Sequence, residues 1–263
     1  KRLLQAAAVI GYEVPLSILQ AVANLRPDRL REALKRLQDA EFLYETNLFP
    51  DIEYRFKHAL VHDAAYRMLS ADRRRTLHTA ALIAGEQVYA DRLIEKSDWL
   101  AFHAVRAQAW DRAVVHLQVA AAREVSRAAN RIAVQHLEGA LIAVEHLPSD
   151  ERATLAIDLR IDLRHALTPL GRVQETLDCL NAAEQIAAQL EDSARLGRIH
   201  SFTANCLVLK ARYAEALATG ERALSLAGSN ERLQLATKMY MARARQARGE
   251  FRAAIESFEG ILA

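Results

Sequence analysis

The chain is poor in residues that interrupt helices. Five prolines and nine glycines are spread over 263 residues, while alanine, the best helix former, is abundant. A β-sandwich or barrel needs many more turn residues, so a mainly helical protein is expected. Aromatic residues make up only 6%, so closely packed helices must meet through small side chains. The two cysteines, Cys179 and Cys206, lie in apolar, helix-like surroundings. They exclude a disulfide framework and read as buried thiols of a reducing, cytoplasmic compartment. No run of 18 apolar residues occurs, so no membrane-spanning helix is expected, and no signal peptide is read at the start.

An excess of one charge is missing too. The 35 basic and 33 acidic residues give a net charge of +2, whereas a protein that coats nucleic acid carries a clear cationic surplus. Familiar catalytic patterns are absent: there is no Gly-x-x-x-x-Gly-Lys-[Ser/Thr], Gly-x-Ser-x-Gly, Cys-x-x-Cys or His-Glu-x-x-His. No catalytic residue is nominated, and function is sought in binding and regulation. The chain opens at Lys1 within an apolar-periodic segment and stops soon after Phe258 in another. It is read as a piece of a larger protein.

What is present changes period along the chain. Leu3, Leu4, Ala7, Ala8 and Ile10 follow a helical repeat that stops at Gly11. A second helix is expected from Val14 to Ala23, with Pro15 in its first turn. Pro27 opens a third, over Pro27–Asp39, with Leu30, Leu34 and Leu37 on one face. The period then becomes two. Phe42, Tyr44 and Thr46 alternate with Leu43 and Glu45, and Ile52, Tyr54 and Phe56 alternate with Glu53, Arg55 and Lys57. Such alternation around Asn47–Asp51 signals a β-hairpin. Short helices followed by a hairpin describe a winged helix-turn-helix, with Pro27–Asp39 in the recognition-helix position. Helical periodicity returns after Phe56, with Val61, Ala65, Met68 and Leu69 in one stripe and His58, His62 and Tyr66 in another. Ser70-Ala71-Asp72 caps a further helix whose buried face is Leu77, Ala81, Ala84 and Val88.

From about Leu93 one frame recurs: a turn, then a large residue, then a small one three positions later. Trp110, Val173, Tyr213 and Phe251 are the large residues, and the last three are 40 and 38 positions apart. Asn130-Arg-Ile-Ala133 adds a related start. This period means helix pairs stacked as a solenoid, with the small residue where paired helices touch and the large one filling the gap near the turn. The frame resembles the tetratricopeptide repeat in degenerate form. The expected fold is mainly α: a winged-helix domain with one β-hairpin over 1–75, then a tetratricopeptide-like α-α superhelix over 76–263, its last repeat truncated.

Candidate site residues follow from this frame. His58, His62 and Asp63 have metal-like spacing, but His78 apart no further ligand is evident, and no metal is expected. Arg73, Arg74 and Arg75 begin a helix where positive charge opposes the macrodipole; a solvated face or a partner-binding role both account for them. The first helices of the repeats offer Asp158, His165, Arg198, Asn205, Arg243 and Gln246 on the concave side. That mixed polar groove suits an extended or acidic peptide. The third helix carries Arg29, Arg31, Lys35 and Arg36 together with Asp28, Glu32 and Asp39, and the hairpin tip has no Lys or Arg. DNA binding is therefore the lesser reading.

Several stretches resemble one family: Lys1-Arg-Leu-Leu-Gln-Ala-Ala-Ala-Val-Ile-Gly11, Leu37-Gln-Asp-Ala-Glu-Phe-Leu-Tyr-Glu45, the run from Tyr54 to Tyr66, Arg73-Arg-Arg-Thr-Leu-His78 and the run from Ile157 to Gly171. They are similar to the C-terminal region of bacterial adenylate/guanylate cyclase-like multidomain proteins that carry an AAA-type, STAND-like ATPase module before tetratricopeptide-like repeats. The resemblance implies a non-catalytic regulatory region, with ATP or ADP and both enzymatic activities belonging to the parent protein. It implies that His58 senses the nucleotide's phosphates, and that the repeats bind a protein partner or other domains of the same chain. The alternative is a transcription regulator that grips DNA with its winged helix.

Overall fold

The computed structural model of the chain describes residues 1–47 and 52–262, without the side chains of 150 and 260–262. Its contacts divide it into two compact units, Lys1–Ala120 and Ala121–Ala263. The boundary expected from sequence lay between 75 and 76.

In the first unit, α1 (Arg2–Ile10), α2 (Leu16–Ala23) and α3 (Pro27–Asp39) accompany a three-stranded antiparallel sheet of order β1-β3-β2. The strands are β1 (Glu13–Pro15), β2 (Leu43–Asn47) and β3 (Glu53–Phe56). Leu43 pairs with Phe56 and Glu45 with Tyr54, and a bulge falls between Glu45 and Asn47. The expected hairpin is present, while most of its tip, residues 48–51, lies outside the described residues. β1 replaces the first turn of the expected second helix. Val14 is fully buried opposite Tyr54. Pro15 has no N–H for a ladder, and its extended backbone caps α2, which starts only at Leu16. The helix α3 has its expected bounds, with Pro at its first position and Leu30, Leu34 and Leu37 buried.

Two more helices complete the core around α1, whose Ala6 to Ile10 are all buried. After α4 (Ala59–Arg67), α5 (Ala71–Val88) starts where Ser70 accepts a hydrogen bond from the Arg73 N–H. It buries Leu77, Ala81 and Ala84, and Val88 packs at the edge of the same cluster. Met68, expected on the buried stripe of α4, is instead 63% exposed, because the helix ends at Arg67 and Met68 is its C-cap. On α6 (Ser97–Ala107), Trp99 Nε1 donates to the Ile10 carbonyl at 3.2 Å, satisfying an acceptor freed at the end of α1. Gly85 lets α5 approach that ring: a Cβ there would lie 2.3 Å from Trp99.

The second unit is built from α8 (Asn130–Val144), α9 (Ser149–Leu167), α10 (Val173–Gln189), α11 (Ser193–Leu209), α12 (Tyr213–Leu226), α13 (Glu231–Ala247) and α14 (Phe251–Leu262). A single helix, α7 (Trp110–Ser126), runs across the division between the units. The recurring frame marks helix starts. Trp110, Asn130, Val173, Tyr213 and Phe251 are each a first helical residue, and Ala113, Ala133, Thr176, Ala216 and Ala254, three positions on, are buried. Two residues before each start the backbone is left-handed: at Gln108, Ala128, Gly171, Ala211 and Gly249. The N–H that follows reaches back five residues, as from Arg212 to Leu207 at 2.9 Å and from Glu250 to Arg245 at 3.0 Å. These are Schellman turns, which reverse the chain while using the last carbonyls of the helix. Val173 and Tyr213 pack on neighbouring clusters as expected. Phe251 does not fill its gap and is 63% exposed.

Small residues set the helix spacing here. Gly197 faces Leu226 and Gly220 faces Met241, while Ser201 of α11 and Thr237 of α13 share a buried hydrogen bond of 2.7 Å. Cys206 is buried and Cys179 half-buried, both as free thiols, and burial raises the pKa of each. Among the described residues no helix is long and apolar enough to cross a membrane.

Candidate functional site

The first helices of the repeats, α9, α11 and α13, carry the most unusual electrostatics of the second unit. Ile157 and Ile161 are buried in one cluster, and the next position of their stripe is Arg164, itself only 8% exposed. Its guanidinium lies 3.9 Å from the centre of the Phe202 ring and donates to His165 Nδ1 at 3.0 Å. Its Nε is buried without a hydrogen-bond partner. Burial lowers its pKa, and the groups that work against this are Tyr240 and Cys206, not a carboxylate. A buried cation without a counter-charge is costly.

Its surroundings divide into an acidic and a basic part. Arg195 holds Asp158 with two bonds of 2.9 and 2.7 Å and Asp192 with another of 2.7 Å. Asp162 is raised by burial and by Asp158, with Arg198 opposing. His165 is lowered by burial, then by Arg164 and Arg198, and Arg198 also acts on Asp162. The structure thus brings Asp158, His165 and Arg198 together on α9 and α11. Asn205 is half-buried on α11, and Arg243 and Gln246 are exposed on α13. Sequence reasoning missed Arg164, Arg195, Phe202 and Tyr240. The signal for Arg164 was available: an arginine at the fourth-plus-third position of an Ile157–Ile161 apolar stripe.

In the first unit the histidines of the α4 region part company. His58 is exposed and caps α4 without a side-chain bond. His62 turns against Phe56, with ring centres 5.1 Å apart, and faces Asp63 at 3.0 Å. His78 is buried, bonded to the Tyr66 hydroxyl and to His103 Nδ1, each at 3.0 Å. Burial, Arg106 and Arg74 bring His78 down to about 4. Burial and His78 bring His103 to about 3, against the pull of the Ile10 carbonyl. Among the described residues no group of three His, Cys, Asp or Glu side chains is placed to hold a metal. Of the arginine triplet, Arg73 is exposed, Arg74 lies over the Tyr66 ring at 5.4 Å, and Arg75 donates to Gln108 at 3.1 Å. On α3, Arg31 pairs with Asp28 and Arg36 with Glu32, at 2.9 and 2.7 Å.

Fold and faces define a helical-repeat protein with a winged-helix N-terminal unit. No protein-family model matches the chain, and no curated protein matches it. Among solved structures, the crystal structure of the apo form of RapI is similar at 11% identity with a TM-score of 0.49, over 93% of this chain and 62% of that one. The chain therefore spans less than two thirds of that protein's length.

Proposed function

We propose that this chain is a non-catalytic regulatory region whose repeats bind an acidic segment of a protein partner, or of another domain of the same protein, across α9, α11 and α13. The observation that carries the reading is Arg164. Its guanidinium is desolvated and lacks a carboxylate, while Arg198 stands exposed near His165, the residue to which Arg164 donates. A carboxylate arriving from a partner would supply the missing charge and accept charge-assisted hydrogen bonds.

The wider setting follows from the family resemblance. The winged-helix unit would adjoin an ATPase module of a bacterial cyclase-like parent, with His58 reaching the phosphates of bound ATP or ADP. The exposure of His58 at the start of α4 leaves its ring free to meet such a neighbour. Exchange of the nucleotide would then shift the population of repeat-accessible states. In the intact parent, His58→Ala should speed nucleotide release; unchanged release would remove this role. For the DNA alternative, the pairing of Arg31 and Arg36 within α3 leaves little free cationic charge for phosphates. Salt-dependent retention of duplex DNA would revive it.

The binding reading is tested by titrating the full chain with a labelled Asp/Glu-rich peptide and a Lys-rich control. The acidic peptide should bind, with affinity falling as salt rises, and Arg198→Gln should weaken it about tenfold. Equal binding of both peptides, or of neither, would overturn the reading.

A further inference from the structure

A cavity of about 400 Å³ lies wholly within the first unit, between the start of α5 and the end of α6. Arg74, Arg75 and Arg106 all line it, and Asp72 is the acidic residue among its walls. The contacts of the three guanidiniums are a Tyr66 ring, a neutral Gln108 amide and a Phe102 ring. None forms an ion pair among the described residues. The Nε of Arg74 is buried with no hydrogen-bond partner. Tyr66 and His78, bonded to each other, form another part of the wall, and His78 stays neutral at neutral pH. The cavity therefore holds three fixed positive charges against one negative charge, with Arg74 the half-buried one of the three arginines.

Guanidinium groups match the oxygens of phosphate in paired, charge-assisted bonds. A phosphate ester brings about −1.5 to −2 charges at neutral pH, which offsets the surplus that Asp72 leaves. The volume is well above that of a single phosphate and falls within the range of about 300–1,000 Å³ typical of small-ligand pockets. Trp110 is also part of the wall. We infer that this cavity is a binding site for the phosphate group of a small anion, held by Arg74, Arg75 and Arg106. The inference is independent of the acidic-partner face, which lies in the other unit.

The test is calorimetric titration of the full chain with inorganic pyrophosphate, ADP and succinate at constant ionic strength, alongside tryptophan fluorescence compared with Trp110→Phe, which leaves Trp99 as the other tryptophan. Saturable binding of a phosphate probe is expected. It should weaken at least about tenfold in Arg74→Gln/Arg106→Gln, and stay unchanged in Arg29→Gln/Arg31→Gln, which removes the same charge from α3. Should the first double variant fail to fold, Arg106→Gln alone, at an exposed position, should still weaken binding. Tighter binding of ADP than of pyrophosphate identifies the ligand as an organic phosphate, and the reverse identifies a free one. The inference is overturned if neither phosphate probe saturates, if succinate binds equally well, or if the cavity variants bind like the α3 variant.

Discussion

In the first unit, α5 and α6 meet through rings. Trp99 sits 4.0 Å from His103, His103 bonds to His78, and His78 bonds to Tyr66. In the second unit, α11 and α13 meet through Ser201 and Thr237, and their partners approach across Gly197 and Gly220. The first arrangement is a single, irregular knot that ties residues far apart in the chain, such as Ile10 and Trp99. The second repeats one local solution. A knot of rings concentrates stability and polarity in a few side chains, whereas a stack of small-residue contacts spreads them over many turns.

Replacing the centre of the knot should have the largest effect. Trp99→Ala removes a ring packed on Tyr89, His103 and Gly85 and should cost about 3–5 kcal/mol. Hydrogen exchange should speed up in α1 and α5 before α11 and α13; equal acceleration in both units would break the comparison.

Acid should come next. His78 and His103 titrate near 4 and 3 when folded, but near 6.5 when unfolded. Between these values the unfolded chain binds the extra protons, so stability is complete above about pH 6.5 and falls as the pH drops toward 4. A loss of several kcal/mol is expected. Burial also lowers His165 and His200, so the second unit should respond in the same direction. Denaturant melts from pH 7 to 4, with exchange monitored in α5 and α6, measure the difference. Stability that stayed level over this range would contradict the buried neutral histidines.

In the repeats a single change should matter less. Thr237→Val leaves the buried Ser201 hydroxyl without its partner and should cost about 1–2 kcal/mol, while adding Ser201→Ala should restore part of it. Thermal melts of the single and double variants decide this; a double variant worse than the single would show that the contact is packing alone. The smallest effect is expected at Ala211, whose backbone has a φ of 58°. Ala211→Gly should stabilise the turn by about 0.5–1 kcal/mol, visible as a raised Tm, and a lowered Tm would argue against strain there.

The same contrast explains what could be read from the chain. The turn frame of the repeats was legible because each contact is local: a left-handed residue, a helix start two positions on, and a small buried residue three beyond that. The bounds of α3 and the Ser70 cap were legible for the same reason. The strand β1 was not, because Val14 becomes a strand residue only by pairing with Tyr54, and no local pattern announces that. The His78–His103 contact joins two helices through polar atoms that look like surface residues in isolation. Asp158, His165 and Arg198 were found by their helix face, whereas Arg164 was passed over because an arginine on an apolar stripe breaks the pattern that identifies the stripe.

The claim that Arg164 is kept for a partner's carboxylate is tested most directly by Arg164→Met, measured for both stability and affinity. Methionine fills similar space without a charge to desolvate, so the Tm should hold or rise, while affinity for the Asp/Glu-rich peptide should fall about tenfold or more. A lowered Tm with unchanged peptide affinity would show that Arg164 serves the fold alone.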